Sequence, residues 1–149
     1  MEMTIVRAGG LTTVQDLGRP GHRAKGLPPG GAADAFALRL ANLLVGNPED
    51  AAALECTLIG PELVFSADTT VAVGGASFAE LPLWQPVRVR AGEPVILGPC
   101  RAGCRGYLAV AGGIDVAPLL GGRGTYLPAR LGGFEGRALR EGDRLPLGT

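Results

Sequence analysis

Glycine and proline interrupt this sequence so often that few segments are long enough to run as a substantial helix. With 25 Gly and 12 Pro in 149 residues, most stretches between turn residues are of strand length. The exception is Ala32 to Val45, where Phe36, Leu40, Leu43 and Leu44 recur at helical spacing. Gly46, Asn47 and Pro48 follow where such a helix should stop. Asp34 falls in its first turn, where a carboxylate interacts favourably with the helix dipole by about 0.3 to 1 kcal/mol. Pro48 then opens a second short helical turn, Pro48 to Leu54, with acidic residues at its start.

Elsewhere the pattern is that of strands. Thr4 to Ala8 is closed by Gly9 and Gly10. Cys56 to Ile59, Glu62 to Phe65 and Thr70 to Val73 follow, the latter two joined as a hairpin through Ser66 to Thr69. Val87 to Arg90 turns at Ala91 to Glu93 and returns as Val95 to Leu97. Tyr107 to Ala111 reads as a buried strand, and Leu139 to Leu147 as a last hairpin turning at Glu141 to Asp143. Leu11 to Gly21 alternates poorly and reads as a loop held in a defined shape, with Pro20 and Gly21 suited to the centre of a type II turn. His22 to Gly31 reads as a surface connection. The expectation is a mainly β fold with one principal helix, its strands forming a closed or nearly closed barrel. At this length a single domain, residues 1–149, buries roughly 68 to 70% of its unfolded surface. Only seven residues are aromatic, so Leu, Val, Ala and Ile must build the core.

Charge and cysteine usage exclude several functions. The 14 basic and 14 acidic residues balance, and neither sign gathers into the basic stripe that nucleic acid requires. Thirteen of the basic residues are Arg, a bias that genome composition explains more economically than anion recognition. Glu2 and Arg7 break any leader-like apolar core, and no apolar run reaches the ~20 residues of a membrane helix, so a cytoplasmic location is expected. Cys56, Cys100 and Cys104 are odd in number and fit no disulfide framework. With His22 the only histidine, they do not complete a zinc site. Two serines, neither in G-x-S-x-G, leave a serine triad without parts, and no phosphate or dinucleotide loop follows the glycine clusters.

What remains is polar chemistry gathered between Gly9 and Pro61. Arg19 and Arg39 are suited to fork onto a carboxylate, Gln15 to donate to a carbonyl, and Asp16 or Glu55 to orient or take a proton. Thr12, Thr13 and Asp34 lie among them. Taken singly, each of these residues is as readily a turn, a cap or a surface ion pair, and their interest lies in their grouping.

The run LTTVQDLGRPG, the spacing Gly31 to Asp34, LRLANLLVGNPEDAAALE, Gly60–Pro61, RGYLAVAGGIDV and GGRGTYL resemble the carboxyltransferase family that includes the C component of 5-oxoprolinase. The same family is called KipA-like or allophanate hydrolase subunit 2-like, and it is similar to the carboxyltransferase domain of urea carboxylase. The resemblance covers nearly the whole chain and implies a cyclophilin-like β-barrel. It also implies a component of an ATP-dependent 5-oxoprolinase that opens 5-oxoproline to glutamate, with ATP used by a partner and no cofactor or metal bound by this chain. The expected partners are the other 5-oxoprolinase subunits, namely the KipI-like B component and the A component. Its alternatives are a biotin-dependent carboxyltransferase acting on a urea-like acceptor, and a non-enzymatic KipA-like regulator of a KipI-like partner. On this resemblance the catalytic candidates are Asp16, Arg19 and Gln15, and the substrate-binding candidates are Thr12, Thr13, Asp34, Arg39 and Glu55. Family members are roughly twice as long and carry a second barrel-like half, with the site expected where the halves meet. The segment before Trp84 looks shorter than its family equivalent. Two expectations follow: the chain alone is inactive, and it self-associates as a homodimer through Val116 to Leu120 and Tyr126 to Phe134.

Overall fold

The computed structural model describes residues 1–149 as two antiparallel sheets and one α-helix, stacked in three layers. The elements in chain order are β1 (Glu2–Arg7), β2 (Leu11–Gln15), α1 (Ala35–Leu44), β3 (Ala53–Thr57) and β4 (Glu62–Phe65). They continue with β5 (Thr69–Phe78), β6 (Val87–Val89), β7 (Val95–Ile96), β8 (Cys100–Val110) and β9 (Arg144–Pro146). One sheet runs β7-β4-β1-β9 and the other β2-β3-β8-β5-β6. Both stay open, so two facing ladders stand where a closed or nearly closed barrel was expected. No helix is long and apolar enough to cross a membrane.

Strand alternation explains the layering. On β3, Leu54 and Cys56 point into the main core while Ala53 faces α1. On β8, Leu108 and Val110 enter the same core, and Tyr107 and Ala109 face the helix. The main core lies between the sheets, where Met3, Ile5, Leu63 and Phe65 meet Val14, Val71, Val73 and Leu108. The thinner second core is mostly alanine, with Ala37, Leu38 and Ala41 seated on Ala53, Tyr107 and Ala109. Small side chains bring α1 close to the sheet, and the Ala37 carbonyl lies 2.7 Å from where a side chain on Gly74 would begin.

Several sequence expectations are corrected. The helix exists and Gly46 ends it with φ of 81°. Its buried stripe, however, is Ala37, Leu38, Ala41 and Asn42, whereas Phe36 is 71% exposed and Leu43 51%. Alanines are weak markers of periodicity, and the bulky residues mislead it. The short helical turn expected over Pro48 to Leu54 is reduced to a single hydrogen-bonded turn, Ala51 N donating to Pro48 O at 3.2 Å, because β3 already begins at Ala53 and pairs with both β2 and β8. Leu11 to Gln15, expected as loop, is strand β2, with Thr12, Thr13 and Gln15 buried. Two expected hairpins are crossings between sheets: β4 pairs with β1 and β7, while β5 pairs with β6 and β8. The last hairpin keeps its turn, with Asp143 N donating to Arg140 O at 3.2 Å, but only β9 follows as strand, beside β1. Of the segments expected to be free for self-association, Val116 is buried in the main core and Leu119, Leu120 and Leu127 are exposed. The three cysteines are unpaired, and no group of His, Cys, Asp or Glu is arranged to hold a metal ion.

Candidate functional site

All but one of the polar residues picked out in the sequence divide between two places. The first lies at the end of β2. This edge strand is covered on its outer side by Thr125 N donating to Val14 O at 2.9 Å and Leu139 N donating to Thr12 O at 2.8 Å. Within that cover, Thr12 Oγ1 donates to Ala8 O at 2.6 Å, and Gln15 Nε2 donates to Thr13 Oγ1 at 3.1 Å and to Thr125 O at 3.0 Å. Both carboxylate oxygens of Asp16 are taken by backbone amides, Oδ1 by Gly18 N at 2.8 Å and Oδ2 by Arg123 N at 2.6 Å. The side chain of Asp16 thus ties its own turn to the loop at 119–125.

Arg19 completes this cluster. It is only 1% exposed and pairs with no carboxylate. Its Nε donates to Leu119 O at 3.1 Å, and its Nη2 donates to Gly122 O at 3.5 Å and to Gly124 O. The guanidinium is a buried cation, so the carbonyl dipoles that accept from it must offset its desolvation. Arg19 Nη1 and Gln15 Oε1 are buried without a partner. Gly124 is required here for space, since a side chain at that position would begin 2.8 Å from Gln15 Oε1 and 3.1 Å from Asp16 Oδ1.

The second place is the N-terminal end of α1. Asp34 is the helix cap, its Oδ1 accepting from Ala37 N at 3.1 Å. Glu55 Oε2 accepts from Tyr107 OH at 2.7 Å and from Ala33 N at 3.0 Å, and the Tyr107 hydroxyl accepts from Asp34 N at 2.9 Å. Burial pushes the Tyr107 phenol above its ordinary range, and the Glu55 carboxylate adds to the rise. Cys56 beside Glu55 is pushed up to about 12 by burial, which keeps it a neutral thiol. Arg39 belongs to neither cluster; it is exposed on α1 and makes no hydrogen bond or ion pair. The strap at 28–33 joins the two places, with Arg19 N donating to Pro29 O at 2.7 Å and Ala32 N donating to Asp16 O at 2.9 Å.

Beside this second cluster lies an open cleft of about 570 Å³, lined by Asp34, Ser77, Leu83, Trp84 and Arg105 among others. Trp84 has φ of 60°, a left-handed backbone that costs a bulky residue about 1 to 3 kcal/mol. Trp84 N donates to Val73 O at 2.9 Å, and the indole lies across Gly74, where a side chain would begin 2.7 Å from the ring. Sequence reasoning missed Ser77, Trp84, Arg105 and Tyr107. The two-residue spacing of Arg105 and Tyr107 in RGYLAV carries a signal, because alternate strand residues share a face. Trp84 carries none, since its place depends on how the connection from β5 to β6 folds back onto β5, where Trp84 N meets Val73 O.

These features define a two-sheet β domain with a flanking helix, whose polar chemistry is concentrated where the strap at 28–33 meets the sheet. The carboxyltransferase domain family, subdomain A and B, matches residues 25–149, and the chain belongs to that family. It is 47% identical over 98% of its length to the C component of 5-oxoprolinase from Escherichia coli (strain K12), covering 49% of that protein. It is 43% identical over 95% of its length to the urea amidolyase of Lachancea kluyveri, covering 8% of it. The crystal structure of the Kluyveromyces lactis urea amidolyase superposes with a TM-score of 0.94 at 40% identity, over 98% of this chain and 9% of that one. The chain therefore spans about half, or much less, of the length of the curated relatives it matches.

Proposed function

We propose that this chain is a component of an ATP-dependent 5-oxoprolinase complex that opens the lactam of 5-oxoproline to glutamate. The observation that carries this reading is the 47% identity to a 5-oxoprolinase C component, maintained over 98% of the chain. In this reading a partner uses the ATP, the KipI-like B component and the A component complete the assembly in the cytoplasm, and the two-sheet fold is of the cyclophilin-like kind. A substrate with a carboxylate and a lactam carbonyl calls for a cation and hydrogen-bond donors or acceptors near one another. Arg105, Ser77 and Asp34 line one cleft beside the strap, which brings both kinds of group into one region. Asp16, Arg19 and Gln15 act in it by fixing the loop at 119–125. Asp34 and Glu55 hold the entrance to α1, and Thr12 and Thr13 support β2.

The test is to mix the purified chain with candidate partner proteins and assay glutamate release from 5-oxoproline with and without ATP. Release only in the full mixture supports the reading; turnover by the chain alone, or none in any combination, counts against it. A second reading, carboxyl transfer from carboxybiotin to a urea-like acceptor, is favoured by the 43% identity to the Lachancea kluyveri urea amidolyase. Urea-dependent consumption of bicarbonate and ATP, with a biotin-carrying partner present, distinguishes it.

A further inference from the structure

We infer that the cleft between the N-terminal end of α1 and the Trp84 ledge is a binding site for a small, flat-ringed amide that carries a carboxylate. This rests on the proposed 5-oxoprolinase function for the choice of ligand, but on the cleft itself for the choice of site. Three observations converge on it.

The first is shape. The cleft is open to solvent and has a volume of about 570 Å³, a size suited to a small metabolite. Its wall is an indole 37% exposed and held over Gly74, which offers a flat apolar face to a ring. The strained backbone of Trp84 is maintained by a bond from its amide to Val73, so the ledge is fixed before any ligand arrives.

The second is charge. Arg105 lines the cleft and pairs with no acidic residue, although the Glu55 carboxylate stands on the neighbouring strand. Glu55 is held by the Tyr107 hydroxyl and the Ala33 amide, which leaves the Arg105 fork free for a carboxylate from outside. The third is the supply of further polar groups. The Ser77 hydroxyl makes no hydrogen bond within the chain, and Asp34 accepts through Oδ1 alone, leaving Oδ2 for an amide N–H. A ligand with a carboxylate, a carbonyl and an N–H on one small ring meets Arg105, Ser77 and Asp34 in turn, with its face on Trp84. A neutral ring lacks the charge that Arg105 selects, and an open-chain dicarboxylate meets the acidic Asp34.

Trp84 is the one tryptophan in the chain, so its fluorescence reports on this cleft alone. Titration with 5-oxoproline is expected to give a saturable change, and 2-pyrrolidinone, the same ring without the carboxylate, to bind at least about tenfold more weakly. Arg105→Gln should weaken 5-oxoproline binding by at least about tenfold, while Arg101→Gln, on the same strand outside the cleft, leaves it unchanged. Calorimetry on Trp84→Phe checks that loss of signal is not mistaken for loss of binding. No saturable response, or equal affinity in the wild type and Arg105→Gln, overturns the site. In a reconstituted complex the two proposals separate: ATP-dependent glutamate release without any response from the cleft defeats the site alone. Binding in the cleft without glutamate release in any mixture defeats the function alone.

Discussion

The end of β2 and the mouth of α1 hold similar side chains in opposite states. At the end of β2, Arg19 and Asp16 lie close together in the chain, yet neither pairs with the other. Every bond each side chain makes goes to backbone, Arg19 to three carbonyls and Asp16 to two amides. At the mouth of α1, Asp34 and Glu55 likewise accept from backbone amides, but Arg105 and Ser77 stand beside them with no partner in the chain. The contrast teaches that residue type does not separate architecture from recognition. What separates them is whether the charged groups are buried and bonded to backbone, as at the end of β2, where Arg19 Nη1 and Gln15 Oε1 alone lack a partner, or stand exposed. A glycine-rich loop such as Gly121 to Gly124 exposes its carbonyls, and a long cationic side chain collects them.

This contrast breaks most readily at Arg19. Arg19→Ala is expected to cost about 3 to 5 kcal/mol, because it leaves three carbonyls and a large cavity behind. Urea denaturation measures it, and a loss below about 1 kcal/mol, the range of surface changes, would mean the cluster at the end of β2 is not what holds the loop. Asp16→Ala should follow at about 1 to 2 kcal/mol, since it leaves two partly buried amides without their acceptor. Both variants should lose activity in a complex through misplacement of the loop at 119–125, so activity and stability fall together.

Tyr107 lies between the extremes and offers a pH test. Burial and then Glu55 raise its folded-state pKa above the ordinary 10.0 of the unfolded chain. The folded state therefore holds its phenolic proton where the unfolded state releases it. The contribution of this residue is complete below pH 10 and declines as pH rises from there toward the folded value. Thermal melts of wild type and Tyr107→Phe should run parallel near neutral pH, with the wild type losing stability relative to the variant above about pH 10. A constant offset across that range would show that the phenol is not held by its surroundings.

How much of this is legible in the sequence follows from the physics of each element. Helix α1 is visible because a strong stop follows it at Gly46, yet its buried face is easily misread because Ala37 and Ala41 make contact through small size rather than hydrophobic bulk. β2 is hidden because most of its residues are Thr and Gln with little alternation. Their burial depends on partners as distant as Thr125, which no local pattern reveals. The grouping of Thr13, Gln15, Asp16 and Arg19 is readable from proximity in the chain. The division that sends Asp34 and Glu55 elsewhere, and leaves Arg39 alone, is not, since it arises from the pairing of β3 with β8. The glycines at 122 and 124 read locally as a failed nucleotide fingerprint. That their carbonyls accept from Arg19 is a property of the long-range fold.

The gentlest test of the comparison lies on the outer face of α1. Phe36 at 71% exposed and Leu43 at 51% contribute little to either core, so Phe36→Ser should change stability by no more than about 0.5 kcal/mol. Leu38→Ser, two residues further along the helix and fully buried, should cost about 3 kcal/mol or more, because it loses apolar contacts and buries a hydroxyl without an assured partner. Arg105→Gln belongs with Phe36→Ser in stability and apart from it in binding. If Arg105→Gln instead destabilised the chain as much as Arg19→Ala, the mouth of α1 would be built on the same principle as the end of β2, and the distinction between a buried, backbone-bonded cluster and an open one would collapse.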